Sequence, residues 1–270
     1  MVNLAILNSP ISWVGGKHRL RKHIIPLFHE HKCYVEVFGG SGTVLFGKEP
    51  SKTEVYNDKF DLLVNLFKVF KEKPNEFLKE IDLIPVSRTI YNQFKEDYKR
   101  IDDFSDVEKA VRTYYLIKAG FGASLPDMGG SGFGIKARDP SELRLNKVDC
   151  IVRNTYERIK KVYIENLDYQ DLIKRYDKDF TLFYCDPPYI DSREYTIKFN
   201  HEDHRKLSNI LHNIKGKFIL SINHHELAYE LYGDMYILEV DHNYSMRKTL
   251  HNTDCKELII ANYDITNINK

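Results

Sequence analysis

Two prolines close an apolar run and leave a carboxylate, a carbonyl and an aromatic ring at its end: Leu182-Phe183-Tyr184-Cys185 precedes Asp186-Pro187-Pro188-Tyr189. The run reads as a buried strand, and neither proline can donate to a β-ladder, so the strand stops there. The Asp186 carboxylate and the Pro187 carbonyl are then two acceptors at a strand's C-terminal edge, where open α/β sheets bind ligands. Two acceptors suit an exocyclic NH₂ group with its two donors, and the Tyr189 ring offers a face on which a planar base can stack. The same residues also fit an ordinary Pro-Pro turn after a strand.

Four further groups could act with that one. Trp13-Val14-Gly15-Gly16-Lys17 sets the one tryptophan beside two flexible residues and a cation. Such a loop can grip a zwitterionic, planar ligand, or simply bury an indole. Glu36-Val37-Phe38-Gly39-Gly40-Ser41-Gly42 is a glycine-rich turn that lets backbone approach a ligand closely. It is not a dinucleotide fingerprint, whose third glycine would fall at Leu45. Asp58 follows Glu36 by 22 residues, about where an acid hydrogen-bonds a ribose in nucleoside-binding α/β folds; it could equally cap the next helix. Asn166-Leu167-Asp168-Tyr169 pairs an acid that can accept from an adenine amino group with an aromatic that can pack on its ring. A helix cap followed by a core aromatic is the alternative there.

Positioning these groups on successive strand ends requires a parallel sheet. The first 70 residues read as loop, helix, strand (34–38), glycine turn, helix (43–46), strand (54–57) and helix (61–70), a βαβ unit. From 71 to 159 the pattern is helical and highly charged, clearest at 91–99 and 107–121. A glycine-rich hairpin, 120–138, contains Gly129-Gly130-Ser131-Gly132. Strands resume at 162–166, 181–185, 217–222, 235–240 and 257–261. Helices 201–214 and 224–231 lie among them, the first capped by Asn200 with Asp203 three residues on. The expectation is one doubly wound core, 1–70 and 160–270, interrupted by an inserted domain, 71–159.

The chain has 270 residues, 42% hydrophobic and 29% charged, as in ordinary globular proteins. A net charge of +1 neither announces nor excludes a nucleic-acid partner. A local basic face is conceivable at Lys17, His18, Arg19, Arg21, Lys22 and His23, or that stretch is a solvated helix end. Cys33, Cys150, Cys185 and Cys255 form no Cys-x-x-Cys pair, so neither a metal site nor a disulfide framework is indicated, and a cytoplasmic setting fits. No stretch approaches the roughly 18 apolar residues of a membrane span, and there is no signal-peptide pattern.

In this order the motifs resemble the Dam-type family of DNA adenine methyltransferases over nearly the full length. Trp13 to Lys17 is similar to the family's Trp-x-Gly-Gly-Lys start. Glu36 to Gly42 resembles its Glu-Pro-Phe-x-Gly-x-Gly loop, with Val37 in place of proline. Asn57-Asp58 matches its ribose-binding position, and Asp186 to Tyr189 its catalytic motif. Tyr91 to Glu96, Ile222-Asn223-His224 and Lys256-Glu257-Leu258 match as well.

The resemblance implies a Rossmann-like α/β core with a seven-stranded mixed sheet, an inserted and mainly helical target-recognition domain, and S-adenosylmethionine as methyl donor. Catalysis would fall to Asp186, Pro187, Pro188 and Tyr189. The cofactor would be held by Trp13, Lys17, Glu36, Phe38, Gly40, Gly42, Asp58 and Asp186, with Asp168 and Tyr169 at its adenine. Lys118, Lys136 and Arg138 would contact DNA phosphates, no metal is required, and the expected state is a monomer on double-stranded DNA. The hairpin departs from the family where it reads GATC. Its Arg-Tyr-Asn run and later Phe-Asn-Val-Pro are absent from 121–126 and 132–136, so no GATC target carries over. The tetrapeptide would also serve a cytosine amino-methyltransferase, an RNA amino-methyltransferase or, without activity, a DNA-binding module. A carbon-5 cytosine methylase would need a cysteine after proline, whereas Cys185 precedes Asp186.

Overall fold

The computed structural model describes residues 7–120, 125–128, 132–134, 147–192, 199–242 and 255–266. Seven strands form one sheet: β1 (Cys33–Glu36), β2 (Thr53–Asn57), β3 (Tyr163–Glu165), β4 (Thr181–Cys185), β5 (Lys217–Asn223), β6 (Tyr236–His242) and β7 (Cys255–Ala261). Their order is β3-β2-β1-β4-β5-β7-β6. The first five run parallel, whereas β7 lies antiparallel between β5 and β6, so the sheet is mixed as expected.

Every residue of β1 and β4 is buried, because both sheet faces are covered. Alternation sends Tyr34, Tyr56, Leu182 and Tyr184 to one face and Val35, Val55, Phe183 and Cys185 to the other. The chain winds outward from β1 through β2 to β3, then returns to β4 on the opposite side of β1 and continues to β5. The reversal leaves a crevice at the carboxyl ends of β1 and β4, which are in register as Glu36 opposite Tyr184. Topology alone therefore places the glycine turn after β1 beside the Asp-Pro-Pro-Tyr after β4.

Ten α-helices are present among the described residues: α1 (Arg21–Ile24), α2 (Thr43–Gly47), α3 (Asp61–Glu72), α4 (Pro74–Asp82), α5 (Arg88–Asp97), α6 (Asp106–Ala119), α7 (Val148–Ile159), α8 (Tyr169–Tyr176), α9 (His201–His212) and α10 (Glu226–Tyr232). Helices α8 to α10 cover one face of the sheet. On the other face α3 carries α4 and α6: Phe70 meets Phe77 of α4 edge-on at 4.8 Å, and Phe77 meets Tyr114 of α6 at 5.5 Å. Reciprocal capping boxes start α6 (Ser105 with Glu108) and α9 (Asn200 with Asp203), as the spacing of the second predicts.

Several expected boundaries move, and one expected cap is not found. Helix α6 ends at Ala119 because Gly120 is extended and pairs with Phe133 in an isolated antiparallel bridge; residues 121–124, 129–131 and 135–138 of the expected hairpin lie outside the described residues. Helix α10 starts two residues late, because the His225 side chain caps it by accepting from Leu227 N–H. Asp58 is not the cap of α3, whose N-cap is Phe60. Lys136 and Arg138 lie outside the described residues. No described helix is long and apolar enough to cross a membrane, and no cluster of metal-ligating side chains occurs among the described residues.

Candidate active site

The glycine turn is shaped by contacts that leave no room for side chains. A Cβ on Gly39 would stand 2.3 Å from Tyr56 Cε2 and 2.7 Å from the Asn57 carbonyl. Gly40 and Gly42 take φ of 50° and 69°, the left-handed region that glycine enters without strain. Two residues at the end of β2 brace this turn. Buried Asn57 donates to the carbonyls of Val37 (2.9 Å) and Leu167 (3.2 Å) and accepts from Leu167 N–H (2.8 Å), tying three strand ends together. Asp58 accepts from Gly40 N–H and Phe60 N–H, both at 2.7 Å. Burial nonetheless holds the Asp58 carboxyl above its ordinary pKa, against the pull of the Phe60, Gly40 and Lys59 amides.

A cavity opens at the switch point, and the residues singled out in the sequence fall on both sides of its wall. Trp13, Lys17, Glu36, Phe38, Gly40 and Asp58 line it, as do Asp168, Tyr169, Asp186 and Pro188. Gly42, Pro187 and Tyr189 do not. Gly42 stands behind the turn as the N-cap of α2, Pro187 is buried, and Tyr189 is half-buried. Asp168 caps α8 through Gln170 N–H (3.0 Å) and also lines the cavity. Tyr169 packs against Phe38 at 5.7 Å and Phe199 at 5.5 Å, a three-ring group with Phe199 edge-on to Phe38.

The Asp186 carboxylate sits within a charged cluster assembled from distant parts of the chain. Lys17 is only 3% exposed, and its Nζ lies 2.6 Å from Asp186 Oδ1, 3.5 Å from Glu257 Oε1 and 4.6 Å above the Tyr189 ring centroid. It also donates to the Gly15 carbonyl at 3.2 Å. This removes Lys17 from the conceivable basic face, because a buried ammonium needs its carboxylates; His18, Arg19, Lys22 and His23 stay exposed. Ser221 of β5 donates to Asp186 Oδ1 at 3.2 Å, and the Tyr189 hydroxyl donates to Glu257 Oε2 at 2.7 Å.

Burial pushes Asp186 up to about 6, Glu257 adds to the rise, and Lys17 and Ser221 pull it back. Burial also pushes Glu36 up to about 8, against the Tyr34 hydroxyl and the Leu45 amide, so it carries its proton at neutral pH. Lys118, at the end of α6, rests its ammonium 5.4 Å from the Tyr114 ring.

Sequence reasoning did not assign Glu257 or Ser221 to the site. Ser221 reaches it because β5 runs parallel beside β4, with Leu220 opposite Cys185, and Glu257 because β7 lies antiparallel on β5, with Glu257 opposite Asn223. A buried acid in an otherwise apolar strand, Leu258 to Ala261 following Glu257, was the available sign.

Known proteins resemble the chain throughout this region. The Type II methyltransferase M1.LlaDCHI of Lactococcus lactis subsp. cremoris is 28% identical over 271 residues, 93% of this chain and 94% of its own. The modification methylase StsI of Streptococcus sanguinis is 23% identical across 97% of this chain, and the Type II methyltransferase M.FokI of Planomicrobium okeanokoites 24% across 95%. Those two are longer proteins, of which the matches span 44% and 43%. Residues 13–246, most of the molecule, match the D12 class N6 adenine-specific DNA methyltransferase family, and the chain belongs to that family.

Proposed function

We propose that this adenine-specific DNA methyltransferase takes its methyl group from S-adenosylmethionine and delivers it to an adenine flipped out of duplex DNA, with Asp186 as the principal acceptor of the reacting amine. The observation that carries this reading is the Asp186 carboxylate on the wall of the same cavity as the glycine turn, Asp58 and the Phe38–Tyr169–Phe199 rings. These residues fit the donor chemically. Aromatic faces and Asp168 suit its adenine, Asp58 its ribose, Trp13 and the backbone of the glycine turn its remaining length, and the nearby carboxylates a cationic sulfonium.

Bound there, the donor supplies an already activated methyl group. The obstacle is the amine, whose lone pair is delocalised into the purine ring. Asp186 and the Pro187 carbonyl accept its two N–H bonds and favour a tetrahedral nitrogen with its lone pair toward the methyl group. Positioning and electrostatic stabilisation of this kind are together worth several kcal/mol, on the order of 5. The methylated nitrogen must then lose a proton, and a carboxylate raised to about 6 is a competent acceptor near neutrality. Flipping costs a few kcal/mol in stacking and pairing. Stacking on the face of Tyr189 turned away from Lys17 offsets about 1–3 kcal/mol of it. Pro188 fixes the turn that presents both groups.

On this reading residues 1–70 and 160–270 form the catalytic core. The insert, 71–159, reads sequence through its hairpin, and Lys118, Lys136 and Arg138 supply phosphate contacts. The test is nucleoside analysis of adenine-unmodified DNA incubated with S-adenosylmethionine and the protein. N6-methyladenine is expected from the wild type. The Asp186→Ala variant should still bind DNA but methylate it roughly 10³-fold more slowly or worse. Near-normal turnover by Asp186→Ala overturns the assignment.

A further inference from the structure

We infer that Glu257 is a positioning residue for methyl transfer: its carboxylate receives the Lys17 ammonium when the substrate amine engages Asp186. The inference rests on the reading of Asp186 given above. Glu257 is 2% exposed, yet only one of its oxygens is hydrogen-bonded. Oε2 accepts from the Tyr189 hydroxyl, whereas Oε1 accepts no hydrogen bond among the described residues and faces Lys17 Nζ at 3.5 Å. A buried carboxylate oxygen left this way is costly, and such exceptions in a folded protein call for an explanation. Lys17 is held instead on Asp186 at 2.6 Å, with a flexible four-carbon stem able to carry its ammonium across the short remaining gap.

The charge count gives the arrangement its purpose. An Asp186 neutralised by Lys17 alone is a poor acceptor and offers no net field to the positive charge that arrives on the amine. With Glu257 present, two carboxylates share one ammonium and the cluster keeps a net negative charge beside the reacting nitrogen. Glu36, the other acid facing Asp186, adds none, because it is held protonated. Lys17 reaches Asp186 from the loop before α1, Glu257 from β7, Glu36 from β1 and Tyr184 from β4. When the amine enters, Lys17 passes from Asp186 to the waiting Oε1, and Asp186 is free to accept.

Glu257→Gln separates this role from simple anchoring, because the amide oxygen still accepts from Tyr189 while the charge is gone. With adenine-unmodified DNA and labelled S-adenosylmethionine, kcat should fall about 10- to 100-fold, with KM for either substrate changed less than about threefold. The acid limb of kcat/KM, expected near 6 in the wild type through Asp186, should move to lower pH. Lys17→Gln should move the same limb the other way, to higher pH. If thermal unfolding finds Glu257→Gln unfolded, Glu257→Asp serves in its place: it keeps the charge and should retain the wild-type limb. Wild-type kcat and an unmoved limb in a folded Glu257→Gln overturn the inference, as does an unmoved limb in Lys17→Gln. A wild-type protein that methylates no adenine removes the underlying reading instead, which keeps the two failures apart.

Discussion

Two three-membered ion clusters are buried among the described residues, and they are built to opposite rules. At the start of β2, Glu54 stands between two cations. It accepts from Lys48 Nζ (2.6 Å), Ser51 N–H (3.2 Å) and both terminal nitrogens of Arg158 (2.5 and 2.9 Å). Arg158 also donates to the Leu45 carbonyl and Lys48 to Ser51, so that only Arg158 Nε lacks a partner among the described residues. Burial would raise Glu54, but Arg158 and Lys48 outweigh it and hold the carboxyl below its ordinary pKa. At the far ends of the strands the ratio is inverted: two carboxylates, Asp186 and Glu257, share the one ammonium of Lys17, and Asp186 is driven up to about 6. Saturation marks the cluster that ties α7 to β2. Under-saturation marks the one proposed above to act on the amine, where a charge unsatisfied in the resting protein can be satisfied by substrate.

The sharpest way to break this contrast is to remove one member of each cluster. Arg158→Ala leaves Glu54 buried with only Lys48, and losing half of such a pair costs about 3–5 kcal/mol. Thermal unfolding should show a large drop, with loss of the insert's packing on the sheet. Asp186→Asn should show no drop at pH 7, because the substitution removes an ionised group that the fold already disfavours. A tolerated Arg158→Ala together with an unfolded Asp186→Asn would reverse the roles assigned to the two sites.

Acidity sharpens it further, because the two acids have linkages of opposite sign. Asp186 rises from 3.8 to about 6 on folding, which corresponds to about 3 kcal/mol of cost once it is ionised. Its contribution to stability is fully present below 3.8 and is lost as pH rises through about 6. Glu54 is lowered, so its contribution is present above the ordinary glutamate range and is lost as pH falls through its folded value. The stability difference between wild type and Asp186→Asn should therefore favour the variant above pH 6 and vanish near pH 4. The penalty of Glu54→Gln should instead shrink on acidification. Stability curves measured across this range decide the point; parallel curves for the two variants would contradict it.

The two clusters also differ in how far they could be read in the sequence. Strands β1, β2 and β4 and the turn after β1 were legible because buried parallel strands are apolar runs and the turn's glycines are obligatory. Asp186 was legible because prolines end its strand abruptly. Neither cluster was visible as a cluster. Lys17 reads as a cation that could grip a ligand or belong to an exposed basic stretch, and neither reading pairs it with Glu257. Glu257 depends on β7 entering antiparallel between β5 and β6, a register that pairs it with Asn223 and that local pattern does not encode. Arg158 joins Glu54 across 104 residues, and nothing in a charged helix distinguishes the one arginine that will be buried.

Asp58 lies between these extremes and gives the smallest expected effect. Like Glu54 it is hydrogen-bonded through both oxygens, but its donors are neutral amides rather than cations, and burial leaves it raised. Asp58→Asn keeps one acceptor and loses the other, so the Gly40 amide or the Phe60 amide is released. The cost is that of one neutral hydrogen bond, about 1 kcal/mol. The fold should persist, and affinity for S-adenosylmethionine should weaken about five- to tenfold. The molecule carries its own probe: Trp13 is the sole tryptophan, lines the cavity, lies 5.8 Å from Phe60 and would touch a Cβ on Gly40 at 3.2 Å. Its fluorescence titrated with the methyl donor reads that affinity directly. An unchanged titration in Asp58→Asn would mean that Asp58 serves only to turn the chain into α3, and that carboxylates satisfied within the fold, whether by cations or by amides, take no part in binding.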